Sequence, residues 1–221
     1  MNDSTSDESE QVSDLLLNHF EHLCSGSGIN VDVIRQRGYR SVTDAKSLSA
    51  LGFSKVQCRA PGLLMPTHSV DGKRVGYQFR PDKPRLNKSG KAIKYETPHG
   101  AANRVDCPPR CQQQLGNPKV PIWITEGIKK ADALASHGAC AIGINGVWGW
   151  KGTNENGGKV IVADLDHIAF NGRRVYLCFD SDTWTNPQVE AALMRLAQIL
   201  KLRGAEVLVV HLPDKEEPKN A

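Results

Sequence analysis

Long apolar runs are missing from this chain of 221 residues. Nothing in it is apolar enough to span a bilayer, and no charged-then-apolar signal segment opens it. The expectation is a cytoplasmic protein with no membrane partner. Aromatic residues are scarce, at 6%. Cysteine is present at 24, 58, 107, 111, 140 and 178, but not in a metal-binding arrangement. Cys140 and Cys178 fall in apolar, strand-like runs and read as reduced core thiols. Cys107 and Cys111 form one pair with no second pair at usable spacing, which argues against a four-ligand zinc site. Acids are nearly absent between residues 73 and 94, where Lys73, Arg74, Arg80, Lys83, Arg85, Lys88, Lys91 and Lys94 face Asp82 alone. The first ten residues show the opposite bias, four acids and no base. A hydrophobic content of 39%, a mean hydropathy of −0.40 and a net charge of +4 fit a globular protein with a mild preference for anionic partners.

The most informative stretch is Val175-Tyr-Leu-Cys-Phe-Asp-Ser-Asp182. Val175 to Phe179 is a continuous apolar run, which reads as a strand covered on both faces, as in a parallel sheet. It ends in Asp180 and Asp182, which extended backbone projects to the same side. Ligands of open α/β sheets sit at the carboxyl ends of the strands. Two carboxylates that close repel unless a cation neutralises them, and a divalent metal is the simplest such cation. The bland alternative is a polar strand end with two solvated aspartates.

Along the chain, residues 1–10 read as a disordered acidic tail. Residues 11–105 read as a helical plus β-hairpin basic subdomain. Helical spacing of Val12, Leu15, Leu16 and Phe20 predicts a first helix ending at Ser25-Gly26-Ser27-Gly28. Helices over 31–37 and 43–51 follow, closed by Gly38 and Gly52, with Thr43 or Asp44 as cap. Asp71-Gly72 turns a hairpin between residues 63–66 and 73–80. Val75, Tyr77 and Phe79 would line its apolar face, and Arg74, Gly76, Gln78 and Arg80 the opposite one. Gly90 to Tyr95 is read as a third strand. Basic side chains with a ring beside them, as at Lys94-Tyr95, suit single-stranded nucleic acid; a merely solvated surface is the competing reading.

Residues 106–119 are Pro/Gln/Gly-rich and read as a linker. Residues 120–213 read as a β-α-β-type unit, and 214–221 as a tail. Strands are predicted over 120–125, 139–144, 175–179 and 206–212, with helices over 128–137 and 187–203 and an ambiguous stretch at 159–169. This alternation predicts a small parallel sheet. Glu126 ends its first strand, so Glu126, Asp180 and Asp182 would share one edge. Gly127 opens a helix whose first turn holds Lys129 and Lys130, against the helix dipole. That suggests an anion nearby, with plain solvation as the alternative.

Glu126-Gly127 after a strand, then a helix, a strand and a Gly-bearing loop, then Asp180-x-Asp182, resembles the Toprim domain of bacterial-type primases, topoisomerases and some nucleases. Upstream, Gly62-Leu-Leu-Met-Pro66, Asp71-Gly72, Gly76, Arg80, Lys94-Tyr95 and Pro98 resemble the basic subdomain that precedes Toprim in bacterial primases. From about residue 15 the chain is similar to an uncharacterised Toprim-containing domain of plasmid and phage replication proteins, often found ahead of a helicase. The resemblance implies Mg²⁺ (or Mn²⁺) held by Glu126, Asp180 and Asp182, with Glu126 also a possible general base. It implies template or nucleotide contacts from Arg80, Arg85, Lys94, Tyr95, Lys129 and Lys130, and single-stranded DNA or RNA, nucleotides and a replicative helicase as partners. The expected function is nucleotidyl transfer of the primase kind. The alternative is a non-catalytic nucleic-acid-binding or helicase-associated module that keeps the fold. Two departures stand out: Thr183-Trp-Thr185 replaces the small residues usual after the aspartate pair, and no zinc ribbon precedes the basic region. Asp164 and Asp166 read as surface acids. A haloacid-dehalogenase-like phosphatase, with Asp180 as nucleophile, fits poorly because only 39 residues follow Asp182.

Overall fold

The computed structural model describes residues 14–180 and 186–212. Helix α1 (Leu17–Ser27) ends where Gly28 turns left-handed, φ 66°, and its N–H caps Cys24 and Leu23. Helix α2 (Val31–Arg37) starts at Asn30, whose side chain accepts from the Val33 N–H, and ends at left-handed Gly38. Strand β1 (Arg40–Val42) follows. Helix α3 (Ala45–Ala50) is capped by Asp44. Strands β2 (Gly62–His68) and β3 (Arg74–Pro81) form the expected hairpin, and β1 joins it to give the antiparallel order β1-β2-β3.

Both faces of this small sheet are covered. Leu63 and Met65 pack with Leu23, Val33 and Ile34, while Leu64 and Phe79 pack with Val42, Leu48 and Phe53. The simple apolar-in, polar-out reading of β3 is therefore corrected. Val75 is exposed near the turn and Gln78 is buried, because the second face meets another layer rather than water. The predicted third strand over 90–95 is also corrected. Only single bridges form, Phe79 with Glu96 and Leu86 with Ala92. Arg85 grips buried Glu96 with two bonds, of 2.5 and 3.1 Å, and Gln57 adds a third, while isolated backbone bonds such as Ile93 N–H to the Arg85 carbonyl turn the loop back on itself.

The second half is a four-stranded parallel sheet, ordered β5-β4-β8-β9. Its elements are β4 (Ile122–Glu126), helix α4 (Ile128–Ser136), β5 (Cys140–Ile144), β8 (Arg174–Cys178), helix α5 (Pro187–Leu202) and β9 (Glu206–Val209). A separate hairpin, β6 (Lys151–Thr153) with β7 (Lys159–Ile161), stands between β5 and β8 in the chain. Asn186 and Pro187 start α5 by side-chain capping and a preset φ. That helix buries Leu193, Leu196 and Leu200 against Ile122, Ile124, Val175 and Leu177, each side chain contributing roughly 1.5–3 kcal/mol. β8 itself alternates, with Val175 and Leu177 buried but Tyr176 and Cys178 only half-buried. Its second face is thus not fully covered, contrary to expectation, and carries Tyr176 stacked 4.5 Å from Trp123.

Residues 106–119 are packed rather than extended. Cys107, Cys111 and Leu115 enter the main core around a 3₁₀ turn (Pro109–Gln114). Asp106 bridges Gly143 through paired backbone bonds, extending the sheet by one residue. The cysteines are all free thiols. Among the described residues no helix is long and apolar enough to cross a membrane.

An ionic cluster locks the two halves together. Arg37, fully buried at the end of α2, donates to Asp132 of α4 at 2.6 and 2.9 Å and to Asp106 at 2.6 Å. The Tyr39 hydroxyl donates to Asp132 at 2.6 Å. One guanidinium cannot neutralise two carboxylates, so burial keeps both acids above their usual range while together they hold Arg37 charged. His68 borders the cluster, its Nδ1 3.4 Å from Arg37. Burial, then Arg37, lowers its pKa to about 4. Between pH 6.5 and 4 the unfolded chain therefore binds a proton that the folded chain refuses, and stability falls as pH drops through that window. His68→Gln should flatten the fall of Tm between pH 7 and 5 in a thermal-melt series. An unchanged slope would remove His68 from the account.

Candidate functional site

β4 and β8 are neighbours, and their register pairs Thr125 with Cys178. Glu126 and Asp180 thus leave adjacent strands one residue step apart, at the carboxyl edge of the sheet. Both line one cavity of about 590 Å³ together with Ser27, Gln78, Lys94, Tyr95, Lys129, Lys130 and Asn145. The cavity lies between the halves, since α1, the hairpin and the parallel sheet all contribute. Asp182 lies outside the described residues, and among those described no three metal-ligating side chains converge.

Two glycines shape the edge. Gly127 takes φ 90°, a conformation that other residues rarely adopt, and this turns β4 directly into α4. A Cβ on Gly143 would sit 3.0 Å from the Gly127 carbonyl oxygen, so it is Gly143 that permits the close approach of turn and strand. The Gly127 N–H is fixed by the Ile144 carbonyl at 2.8 Å.

The two lysines of the first turn of α4 diverge. Lys130 forms an ion pair with Asp180. Lys129 Nζ lies 2.7 Å from His22 Nε2 and 3.1 Å from Ser27 Oγ, and 5.9 Å from the Tyr95 ring centre. Burial, then the neighbouring Arg80 and Lys130 charges, lower the Lys129 pKa to about 8. Burial and the same Lys129 charge lower His22 to about 4, so its ring is neutral at pH 7 and free to accept from the ammonium. Arg80 stands behind this group, close enough to act on His22, Lys129 and the Tyr95 hydroxyl. Such a concentration of cations around two carboxylates creates a field that attracts phosphate. Arg85 is engaged differently, in its bidentate pair with Glu96. Asp164 is buried and accepts from Arg104 and the Val105 N–H, while Asp166 accepts from Arg203.

His22, Ser27, Gln78 and Asn145 were not singled out from the sequence. His22 and Ser27 gave no signal, being polar positions in the middle and at the end of an ordinary helix. Asn145 did give one, since it follows β5 at the same carboxyl edge. Its carbonyl oxygen lies 3.4 Å from the Gln78 amide, joining hairpin and sheet across the cavity. The donor set of the cavity is hard carboxylate oxygen with room for phosphate. That fits Mg²⁺ or Mn²⁺, which take one or two carboxylates and complete their shell with phosphate and water.

Residues 112–219 match the model of a domain of unknown function, DUF3854. An uncharacterized protein of Picosynechococcus sp. strain PCC 7002 is 32% identical over 165 residues, covering 60% of this chain and 16% of that protein. The structure is similar to the Aquifex aeolicus primase zinc-binding and RNA polymerase domains, with a TM-score of 0.63 and 14% identity, over 95% of this chain and 53% of that one. A DnaG primase catalytic domain solved bound to ssDNA superposes with a TM-score of 0.57 at 17% identity, over 95% of this chain and 70% of that one. The chain thus spans about half the length of the Aquifex structure and about a sixth of the Picosynechococcus protein. At these identities the likeness establishes the architecture: a mixed α/β fold, with a parallel four-stranded sheet beside an antiparallel hairpin sheet, similar to the catalytic core of bacterial DnaG primases.

Proposed function

We propose that this chain is a primase-like nucleotidyl-transfer domain that uses Mg²⁺ (or Mn²⁺) and acts on single-stranded nucleic acid in plasmid or phage DNA replication. The observation that carries this reading is the shared cavity of Glu126 and Asp180, ringed by Lys94, Lys129 and Lys130. Glu126, Asp180 and Asp182 would hold the metal. When bound, it would orient nucleotide phosphates and offset charge in an in-line displacement. Lys129 keeps an ammonium ready for phosphate, steadied by His22 and Ser27. Tyr95 offers a ring beside that ammonium for a base. Arg80 adds positive charge behind them. The ssDNA-bound DnaG domain of the same fold supports single-stranded DNA as the template class. A helicase partner and the mobile-element setting rest on the family resemblance.

A second reading draws on the Lys130–Asp180 pair. An internal cation that neutralises Asp180 suits a non-catalytic nucleic-acid-binding or helicase-associated module. Primer synthesis from nucleoside triphosphates on single-stranded DNA, with and without Mg²⁺, separates the two. Wild type should incorporate only with the metal, and Asp182→Asn should not incorporate. DNA binding with no metal dependence and no incorporation would establish the module instead.

A further inference from the structure

We propose that the trough beside the β6–β7 hairpin is a second, distal subsite for single-stranded nucleic acid, with a base stacked on Trp148 and phosphates met by Lys151 and Lys159. This rests on the reading above and extends it to a part of the surface that the acidic cavity does not include.

Three depressions are neighbours, each sharing wall residues with the next. The acidic cavity shares Gln78, Gly127, Ile128 and Asn145 with a middle cavity of about 300 Å³. The middle cavity shares residues 101–104 with an outer trough of about 860 Å³, walled by the β6–β7 hairpin. A strand leaving the carboxylates would therefore meet the three depressions in this order. The Asn103 side chain fastens this path by donating to the Lys151 carbonyl at 2.9 Å.

The outer trough has the chemistry of a single-strand track. Trp148 is 37% exposed, whereas its neighbour Trp150 is buried. Lys151 Nζ sits 3.3 Å from the Trp148 ring centre, where the face of a base would stack. A phosphate draws that ammonium aside, and a base then takes its place, stacking on an exposed ring being the stronger contact. Lys151, Lys159 and Arg195 converge closely enough that, beyond partial desolvation, their charges lower the Lys151 pKa. Among the described residues neither Lys151 nor Lys159 is in an ion pair. The acid on the trough wall, Asp164, is buried and taken up by Arg104. Two lysines with no ion pair among the described residues, next to a partly exposed ring, suit a polyanion carrying flat bases.

Binding of oligo-dT of increasing length to the full chain tests this, using about 4 nucleotides for the acidic cavity alone and about 16 for the whole path. Wild type should bind the longer strand more tightly. Trp148→Ala with Lys151→Gln and Lys159→Gln should weaken the long strand about tenfold and leave the short one unchanged. The salt slope should fall by about 0.7 for each lysine removed. Trp148→Phe should restore most of the loss, and Lys159→Gln alone, on an exposed side chain, gives a variant with no folding risk. Long-strand affinity within about twofold of wild type, or equal losses at both lengths, overturns the distal subsite and leaves the primase-like reading standing. A wild type that binds no oligonucleotide at any length overturns both.

Discussion

Arg37→Met is expected to cost about 3–5 kcal/mol of folding free energy, read as the shift in urea midpoint at constant slope. Asp132 and Asp106 are buried, and each takes its closest charged hydrogen bond from Arg37. Removing the guanidinium leaves two acids without a counter-charge, and they can relieve the repulsion only by binding protons. Domains of this kind are stable by about 5–15 kcal/mol, so the loss is a large fraction of the whole. Arg37→Lys should recover little, because one ammonium cannot reproduce a fork that reaches both carboxylates. Combining Arg37→Met with Asp132→Leu and Asp106→Leu should recover much of the loss, since removing every charge also removes the cost of burying them. A loss below about 1 kcal/mol for Arg37→Met would mean that the cluster is solvated in a way the burial of these side chains contradicts. The consequence reaches the cavity, because Asp132 lies on the helix that carries Lys129 and Lys130.

That cluster also marks where sequence reading stops. Arg37 and Asp132 are 95 positions apart, and nothing local couples a helix-terminal arginine to an acid on a distant helix. What was legible is what local physics dictates. Asp71-Gly72 turned the hairpin, Gly28 and Gly38 ended helices, and the switch of apolar period after Val120 announced alternating strands and helices. Glu126 and Asp180 were legible because strand ends in a parallel sheet fall on one edge. Strands β1, β6 and β7 were missed, as three residues are too few to show a period of two. Gly90 to Tyr95 had strand composition, but it turns back on residues 85–87, the Ile93 N–H donating to the Arg85 carbonyl, and the chain meets β3 at Glu96. Residues 106–119 looked like a linker by composition, yet Cys107, Cys111 and Leu115 recur every four residues, the spacing of one buried face. The distal trough could not be foreseen, since it depends on the β6–β7 hairpin folding beside residues 101–104.

Glu126→Gln is expected to lower metal-dependent incorporation by about 10²–10³-fold while single-stranded DNA binding stays level or tightens. A metal that polarises phosphoryl oxygen supplies several kcal/mol of transition-state stabilisation, and each 1.36 kcal/mol is about tenfold in rate. The amide keeps the size of the carboxylate but loses its charge, so it holds Mg²⁺ poorly. The same loss leaves Lys94, Lys129 and Lys130 less opposed around the cavity, which favours the phosphate backbone. Opposite signs for catalysis and binding are what distinguish a metal ligand from a residue that merely shapes the site, since a structural defect would weaken both. Asp180→Asn should behave alike, with one difference. It also releases Lys130 from its ion pair, so its gain in DNA affinity should exceed that of Glu126→Gln. Lys130→Met gives the converse test, because removing the ammonium that competes for Asp180 should tighten Mn²⁺ binding in the absence of nucleotide. Incorporation by Glu126→Gln within about threefold of wild type would take Glu126 out of the metal site and leave the aspartates to carry the chemistry without it.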